Sequence, residues 1–195
     1  MLAEPLRIAL AVGAEFDRLG VGWVVGGSVA SSMQGLPRAT QDIDLVADLL
    51  PEHAAPLARA LREDFYADVD AIGDAIRRRG SFNVIHLDSM TKVDVFVPRR
   101  DRLAQAQIAR RQLVAVGEGL AERLPVLSAE DVILQKLRWF DAGGRTSERQ
   151  WRDVLGVVGV RRASLDLAYL HEQAGEARLA DLLRMALDEA PGAER

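Results

Sequence analysis

Apolar residues recur at helical spacing from Pro5 to Leu19, which predicts an amphipathic first helix. "GWVVGG" follows as a short buried strand, with Gly20 and Gly22 marking the turn before it. Ser28 to Gly35 reads as a short helix, and in the loop "LPRATQ" Pro37 blocks its continuation. "DIDLVAD" is a second strand, and "PEHAAPLARALRED" a helix with proline at its first position. A shorter helix, "DAIGDAIRRRG", is expected to end at Gly80. "FNVIHLD" and "KVDVFVP", joined by "SMT", predict an antiparallel hairpin. "RDRLAQAQIARRQL" looks helical, and "LVAVGEGLAERLPVLS" carries two weak strands around a turn. Ser128 with Asp131 opens a helix that Gly143 and Gly144 stop. Two or three further helices are expected, around Glu148 to Val158, Leu165 to Gln173 and Ala177 to Ala190. This order predicts an α+β protein, with an α/β part over 1–127 and a helical subdomain over 128–195.

Composition narrows the chemistry. The chain has 195 residues, 49% of them apolar, enough for a sizeable core. It has no cysteine, which excludes a disulfide framework, a thiolate metal site and a cysteine nucleophile, and suits a cytoplasmic location. No apolar run approaches membrane-spanning length, so no membrane partner is expected, and the N-terminus reads as a helix and not a signal peptide. A net charge of −4 argues against a surface that coats nucleic acid. Local basic clusters remain at Arg77 to Arg79, at Arg99, Arg100 and Arg102, and at Arg110 and Arg111.

Against this background the acidic residues of the second strand stand out. Asp42 and Asp44 lie two apart and so share a face, with Cα atoms about 6.5–7 Å apart. Ile43 and Leu45 point the other way. Two like charges on a half-buried strand repel unless a cation neutralises them, and an oxygen-bound divalent ion does so. A bare D-x-D also suits a strand end facing solvent or arginines. Asp94, set between Val93 and Val95 in a later strand, repeats the anomaly. If the two strands are neighbours the three carboxylates converge, as a two-metal phosphoryl-transfer site requires. Otherwise Asp94 pairs with Lys92 or an arginine.

Gly26, Gly27 and Ser28 join a buried strand to a helix start, where backbone N–H groups and a hydroxyl suit a phosphate. The pair lacks the lysine of a Walker loop. Arg38, just before the acidic strand, suits a phosphate or a solvated surface equally. Lys136 sits among Ile133, Leu134, Leu137 and Trp139, either snorkelling outwards or neutralising phosphate charge. Asp153 reads as a structural partner of Arg149 or Arg152. Trp139 and Trp151 read as packing residues, and His53, His86 and His171 are too scattered for a metal site.

Strand, "GGS", short helix, "DIDLV" and a later strand aspartate together resemble the nucleotidyltransferase superfamily of the polymerase-β-like fold. "GGSVASSMQGLPRATQDIDLVAD" is especially similar to small bacterial members, including toxin-type enzymes of the AbiEii class. The resemblance implies a small mixed-sheet nucleotidyltransferase core flanked by helices. It also implies that Gly26, Gly27 and Ser28 hold the terminal phosphates of an NTP such as ATP. Asp42, Asp44 and Asp94 would bind Mg²⁺ or Mn²⁺, and Asp94 would help activate the acceptor hydroxyl. Lys136 and Asp153 look like the helical lysine and later aspartate of the AbiEii class, at shorter spacing. The implied reaction moves a nucleoside monophosphate to RNA such as tRNA, to a protein or to a small molecule, and a toxin of this class pairs with an antitoxin. The competing expectation is a non-catalytic nucleotide-binding module of the same fold.

Overall fold

The structure is a computed structural model that describes residues 4–40, 42–117 and 122–191. Two compact units divide the chain: Met1–Gly26 with Thr40–Val126, and Gly27–Ala39 with Leu127–Arg195.

The first unit holds a seven-stranded sheet in the order β3-β4-β5-β2-β1-β7-β6. Its strands are β1 (Trp23–Val25), β2 (Ile43–Ala47), β3 (Phe65–Tyr66), β4 (Ser81–His86), β5 (Lys92–Phe96), β6 (Gln112–Val116) and β7 (Glu122–Val126). β2 runs parallel to β5 and β1 parallel to β7, and every other pairing is antiparallel. The sheet is therefore mixed, as expected. Four helices accompany it: α1 (Glu4–Arg18), α3 (Ala54–Leu61), α4 (Val69–Arg78) and α5 (Arg102–Ala109). Strand alternation sends Phe82, Val84, Val93, Val95, Ile43 and Leu45 into a buried layer. The opposite positions of β4 and β5, including Asn83, Lys92 and Asp94, are exposed or half-buried.

The second unit is helical, built from α2 (Gly27–Gln34), α6 (Ala129–Ala142), α7 (Glu148–Arg161), α8 (Leu167–Glu176) and α9 (Ala180–Glu189). Ile133, Leu134, Leu137, Val154, Val157, Val158, Leu170 and Leu183 form its solvent-free core. Ser128 caps α6: its hydroxyl accepts from the Asp131 N–H at 3.2 Å and donates to the Asp131 carboxylate at 2.9 Å. The Tyr169 hydroxyl donates to the same buried carboxylate at 2.7 Å and so ties α8 to α6.

Helix α2 packs so closely on α7 that a Cβ at Gly35 would lie 2.8 Å from the Val157 backbone nitrogen. Backbone cannot retreat as a side chain can, so Gly35→Ala is expected to cost about 1–3 kcal/mol of stability. Chemical denaturation reads this directly, and an unchanged midpoint would show that the contact relaxes freely.

The structure differs locally from the sequence expectations. β3 was not foreseen, because two residues carry no periodicity. Pro51 opens a 3-10 turn (Pro51–His53) before α3 and not the α-helix itself. α4 ends on Arg79, which takes the left-handed conformation at φ 50°, and not on Gly80. α5 stops at Ala109, because from Gln112 onward the chain pairs with β7. The turn expected between β6 and β7, at 118–121, lies outside the described residues, as does Gln41.

Candidate active site

In the sheet unit, β2 and β5 are neighbours, and Asp44 stands directly opposite Asp94 in the register. Both carboxylates are half-buried. Asp42 lies one residue before β2 and is exposed. On the other flank of Asp94, Asn83 of β4 occupies the paired position, so Asp44, Asp94 and Asn83 form one row across three strands. Asn83 was missed from the sequence, although the alternation of "SFNVIH" already puts it on the polar face.

Lys92 is the cation of this region. Its ammonium lies 2.8 Å from the Asp94 carboxylate. The hydrogen bond to Asp94 raises its pKa, partial burial opposes this, and the charges of Asp94, Asp42 and Asp44 add to the rise. One ammonium thus feels all three carboxylates. The pairing of Asp94 with Lys92, an alternative to metal binding at the sequence level, is present in the structure.

These residues suit a hard divalent cation in type, being carboxylate oxygens with an amide oxygen beside them. Among the described residues, no three acidic or histidine side chains are gathered tightly enough to hold an ion as they stand. An ion bound here would compete with the Lys92 ammonium for the Asp94 carboxylate.

The helical unit holds the remaining predicted residues except Gly26, which ends the sheet unit and donates its N–H to the Asp44 carbonyl at 2.9 Å. Gly27 adopts φ 56°, a conformation that favours glycine, and donates its N–H to Gln135 Oε1 at 3.3 Å. Asp153 on α7 is the hub. Arg38 Nε donates to its Oδ1 at 2.9 Å and Arg38 Nη2 to its Oδ2 at 3.2 Å, while Lys136 Nζ donates to Oδ2 at 2.8 Å. Arg38 Nη2 also donates to the Ser28 hydroxyl in a short contact. Ser32 Oγ holds the Arg38 backbone at both N–H and carbonyl, which fixes the loop against α2. Four sequence-predicted residues, Ser28, Arg38, Lys136 and Asp153, therefore form one network.

One expectation is corrected here and, for Lys136, one of two open alternatives is excluded. Asp153 pairs with Arg38 and Lys136, not with Arg149 or Arg152. Arg152, one position away, projects from a different side of the helix, and the carboxylate of Asp153 faces Lys136 on α6. Lys136 does not snorkel: its residue is 1% exposed, and its ammonium also lies 5.6 Å from the Trp139 ring centroid. Burial pushes the Asp153 carboxyl up, but the hydrogen bonds and charges of Arg38 and Lys136 outweigh this and hold it below the usual carboxylate value.

Beside the network lies a cavity of about 290 Å³ whose lining includes Arg38, Arg149, Arg152, Asp153 and Ser31. Three guanidinium groups against one already paired carboxylate favour an anion. The role of Arg149 and Arg152 as lining residues was not legible in the sequence. Trp151 packs on Phe140 with centroids 5.2 Å apart, as a packing residue should, and His86 bonds Ser89 at 2.8 Å.

Nearly the whole chain is similar to several solved structures, of which two serve as examples. One is the antibiotic-resistance factor ANT(2'')-Ia, at 15% identity and TM-score 0.55, covering 95% of this chain and 98% of that one. The other is an antigenic nucleotidyltransferase-like protein from Paracoccidioides brasiliensis, at 16% identity and TM-score 0.51, covering 98% and 96%. At such identities the likeness shows the fold alone, the one these two proteins share. No protein-family model and no curated protein sequence matches the chain. Among the described residues, no helix is long and apolar enough to cross a membrane.

Proposed function

We propose that the chain is a metal-dependent nucleotidyltransferase that moves a nucleoside monophosphate from an NTP to an acceptor hydroxyl. The observation that carries this reading is the in-register pair Asp44 and Asp94, with Asp42 close enough for its charge to act on the same ammonium. A divalent cation such as Mg²⁺ or Mn²⁺, bound by Asp42, Asp44 and Asp94, would neutralise phosphate charge and lower the pKa of the attacking hydroxyl. Asp94 takes the acceptor proton as the hydroxyl oxygen bonds to the α-phosphorus. The bond from the α-phosphorus to the bridging oxygen breaks, and pyrophosphate leaves with that electron pair. In this reading phosphate charge falls to Ser28, Arg38 and Lys136 of the helical unit, where the hydrogen bonds of Asp153 hold Arg38 and Lys136 in position. Gly26 and Gly27 let the phosphates approach the backbone.

The deciding experiment incubates the protein and Mg²⁺ with each α-labelled NTP and with cellular RNA, protein and small-molecule fractions. Label is expected in one fraction, with stoichiometric pyrophosphate, and that fraction names the acceptor class: RNA such as tRNA, a protein, or a small molecule such as an antibiotic. NTP binding without pyrophosphate release would instead support the non-catalytic module. A toxin–antitoxin role rests on the sequence motif with Lys136 and Asp153. It predicts growth arrest on expression, relieved by Asp44→Asn and by co-expression of a cognate antitoxin.

Lys92 provides a further check. Because its ammonium competes for Asp94, Lys92→Gln is expected to tighten Mn²⁺ binding a few-fold, measured by the loss of free Mn²⁺ signal in electron paramagnetic resonance. Unchanged affinity would place the ion away from Asp94.

A further inference from the structure

The sheet unit carries a second cationic cavity, of about 560 Å³, at the opposite end of β2 from Asp42. Its walls come from segments that meet at that end: the residues after β2, those after β5, the residue Arg79 shortly before β4, and helix α5. The volume falls within the range of about 300–1,000 Å³ typical of small-molecule sites.

The polar lining consists almost wholly of donors. Arg79, Arg99 and Arg100 contribute guanidinium groups, and Asp48 is the only carboxylate. Asp48 is already engaged, since Arg79 Nη1 donates to its Oδ1 at 3.3 Å and to the Pro98 carbonyl at 3.3 Å. These bonds hold Arg79 in place. Arg99 and Arg100 are exposed and have no hydrogen bond or ion pair among the described residues. His53 Nδ1 accepts from the Leu50 N–H at 3.0 Å, so in the neutral ring the proton sits on Nε2, leaving a further donor. Between these groups the wall is apolar, formed by Leu50, Pro98, Ala104 and Ile108. Leu50 is 39% exposed there, beside the fully buried Leu49.

We propose that this cavity binds a small phosphorylated molecule with an apolar body, at a site separate from the carboxylates. Three guanidinium groups and an imidazole N–H fit a phosphate, whose oxygens only accept. Leu50 and Ile108 cover the rest of the ligand. None of these residues enters the proposed transfer chemistry, so binding here is measured without turnover.

The test is a titration of the ¹⁵N-labelled full chain with phenyl phosphate in the presence of EDTA, followed by heteronuclear NMR. Saturable shifts are expected at the amides of Leu50, His53, Ala104 and Ile108, weaker ones with inorganic phosphate, and none with phenol. The exposed double variant R99A/R100A should weaken binding by about tenfold or more, whereas R99K/R100K retains part of it and D42N/D44N leaves it unchanged. The proposal is overturned if no saturable shift occurs there, if R99A/R100A binds as the wild type does, or if phenol binds equally well. It is also overturned if a short oligonucleotide shifts these residues while phenyl phosphate does not. Dispersed spectra of R99A/R100A verify that a loss of binding is not a loss of fold.

Discussion

If the chain is the proposed nucleotidyltransferase, Asp44→Asn and Asp94→Asn are each expected to lower nucleotidyl transfer by about a thousandfold or more, with little change in thermal midpoint. The two carboxylates are half-buried and lie opposite each other in the register, so neutralising one removes like-charge repulsion as well as a proposed metal ligand. Stability is therefore held or slightly raised while metal affinity falls. Asp94→Asn also frees Lys92 from its 2.8 Å partner, which lets the ammonium turn to Asp44 and Asp42. Because the residues act as a unit, D44N/D94N should be little worse than either single variant. Pyrophosphate release at saturating NTP and Mg²⁺ measures the first effect and scanning calorimetry the second. Wild-type turnover in both single variants would dismiss this carboxylate pair as the metal site.

What the sequence made legible follows from range. Alternation within β2 and β5 put Asp44 and Asp94 on strand faces before their adjacency was known, since two-residue periodicity is a local property. That β2 and β5 pair in parallel, with Asp44 at Asp94, is non-local and required the structure. The Ser128 cap was readable because its partner is three residues away, whereas Arg38 and Asp153 are separated by 115 positions. Arg149 and Arg152 were read as partners of Asp153 because sequence proximity was the only guide available. Lys136 was left open for the same reason, since its burial depends on a carboxylate from another helix. The short helix α2 was read correctly as a helix, but its place among the C-terminal helices depends on close approaches such as that at Gly35. β3 lies below any pattern threshold, and Asn83 was visible but carried no charge to draw notice.

The Asp153 network gives the largest stability effect. The side chains of Lys136 and Asp153 are only 2% and 7% exposed. Asp153→Ala strips Lys136 of this countercharge and breaks the bidentate hold on Arg38, which is expected to cost about 3–5 kcal/mol. The double variant K136M/D153L replaces the pair by apolar groups of similar volume and should recover part of that loss, since the buried ammonium goes with its countercharge and only the Arg38 guanidinium, 30% exposed, is left to turn to solvent. Urea denaturation of the wild type, K136M, D153L and the double variant measures the cycle, and strict additivity of the two single variants would deny the coupling. Acid adds an independent reading. Because the folded carboxyl is held below its ordinary value of 3.8, its contribution is complete above that value and is lost as pH falls through the lower folded value. Wild-type stability should therefore drop more steeply than that of Asp153→Asn once the pH falls below 3.8. The same double variant separates architecture from chemistry: with the fold restored but the ammonium gone, NTP affinity should remain weak. Full NTP affinity in K136M/D153L would mean that Lys136 and Asp153 hold the helices together and leave the phosphates to Ser28 and the arginines.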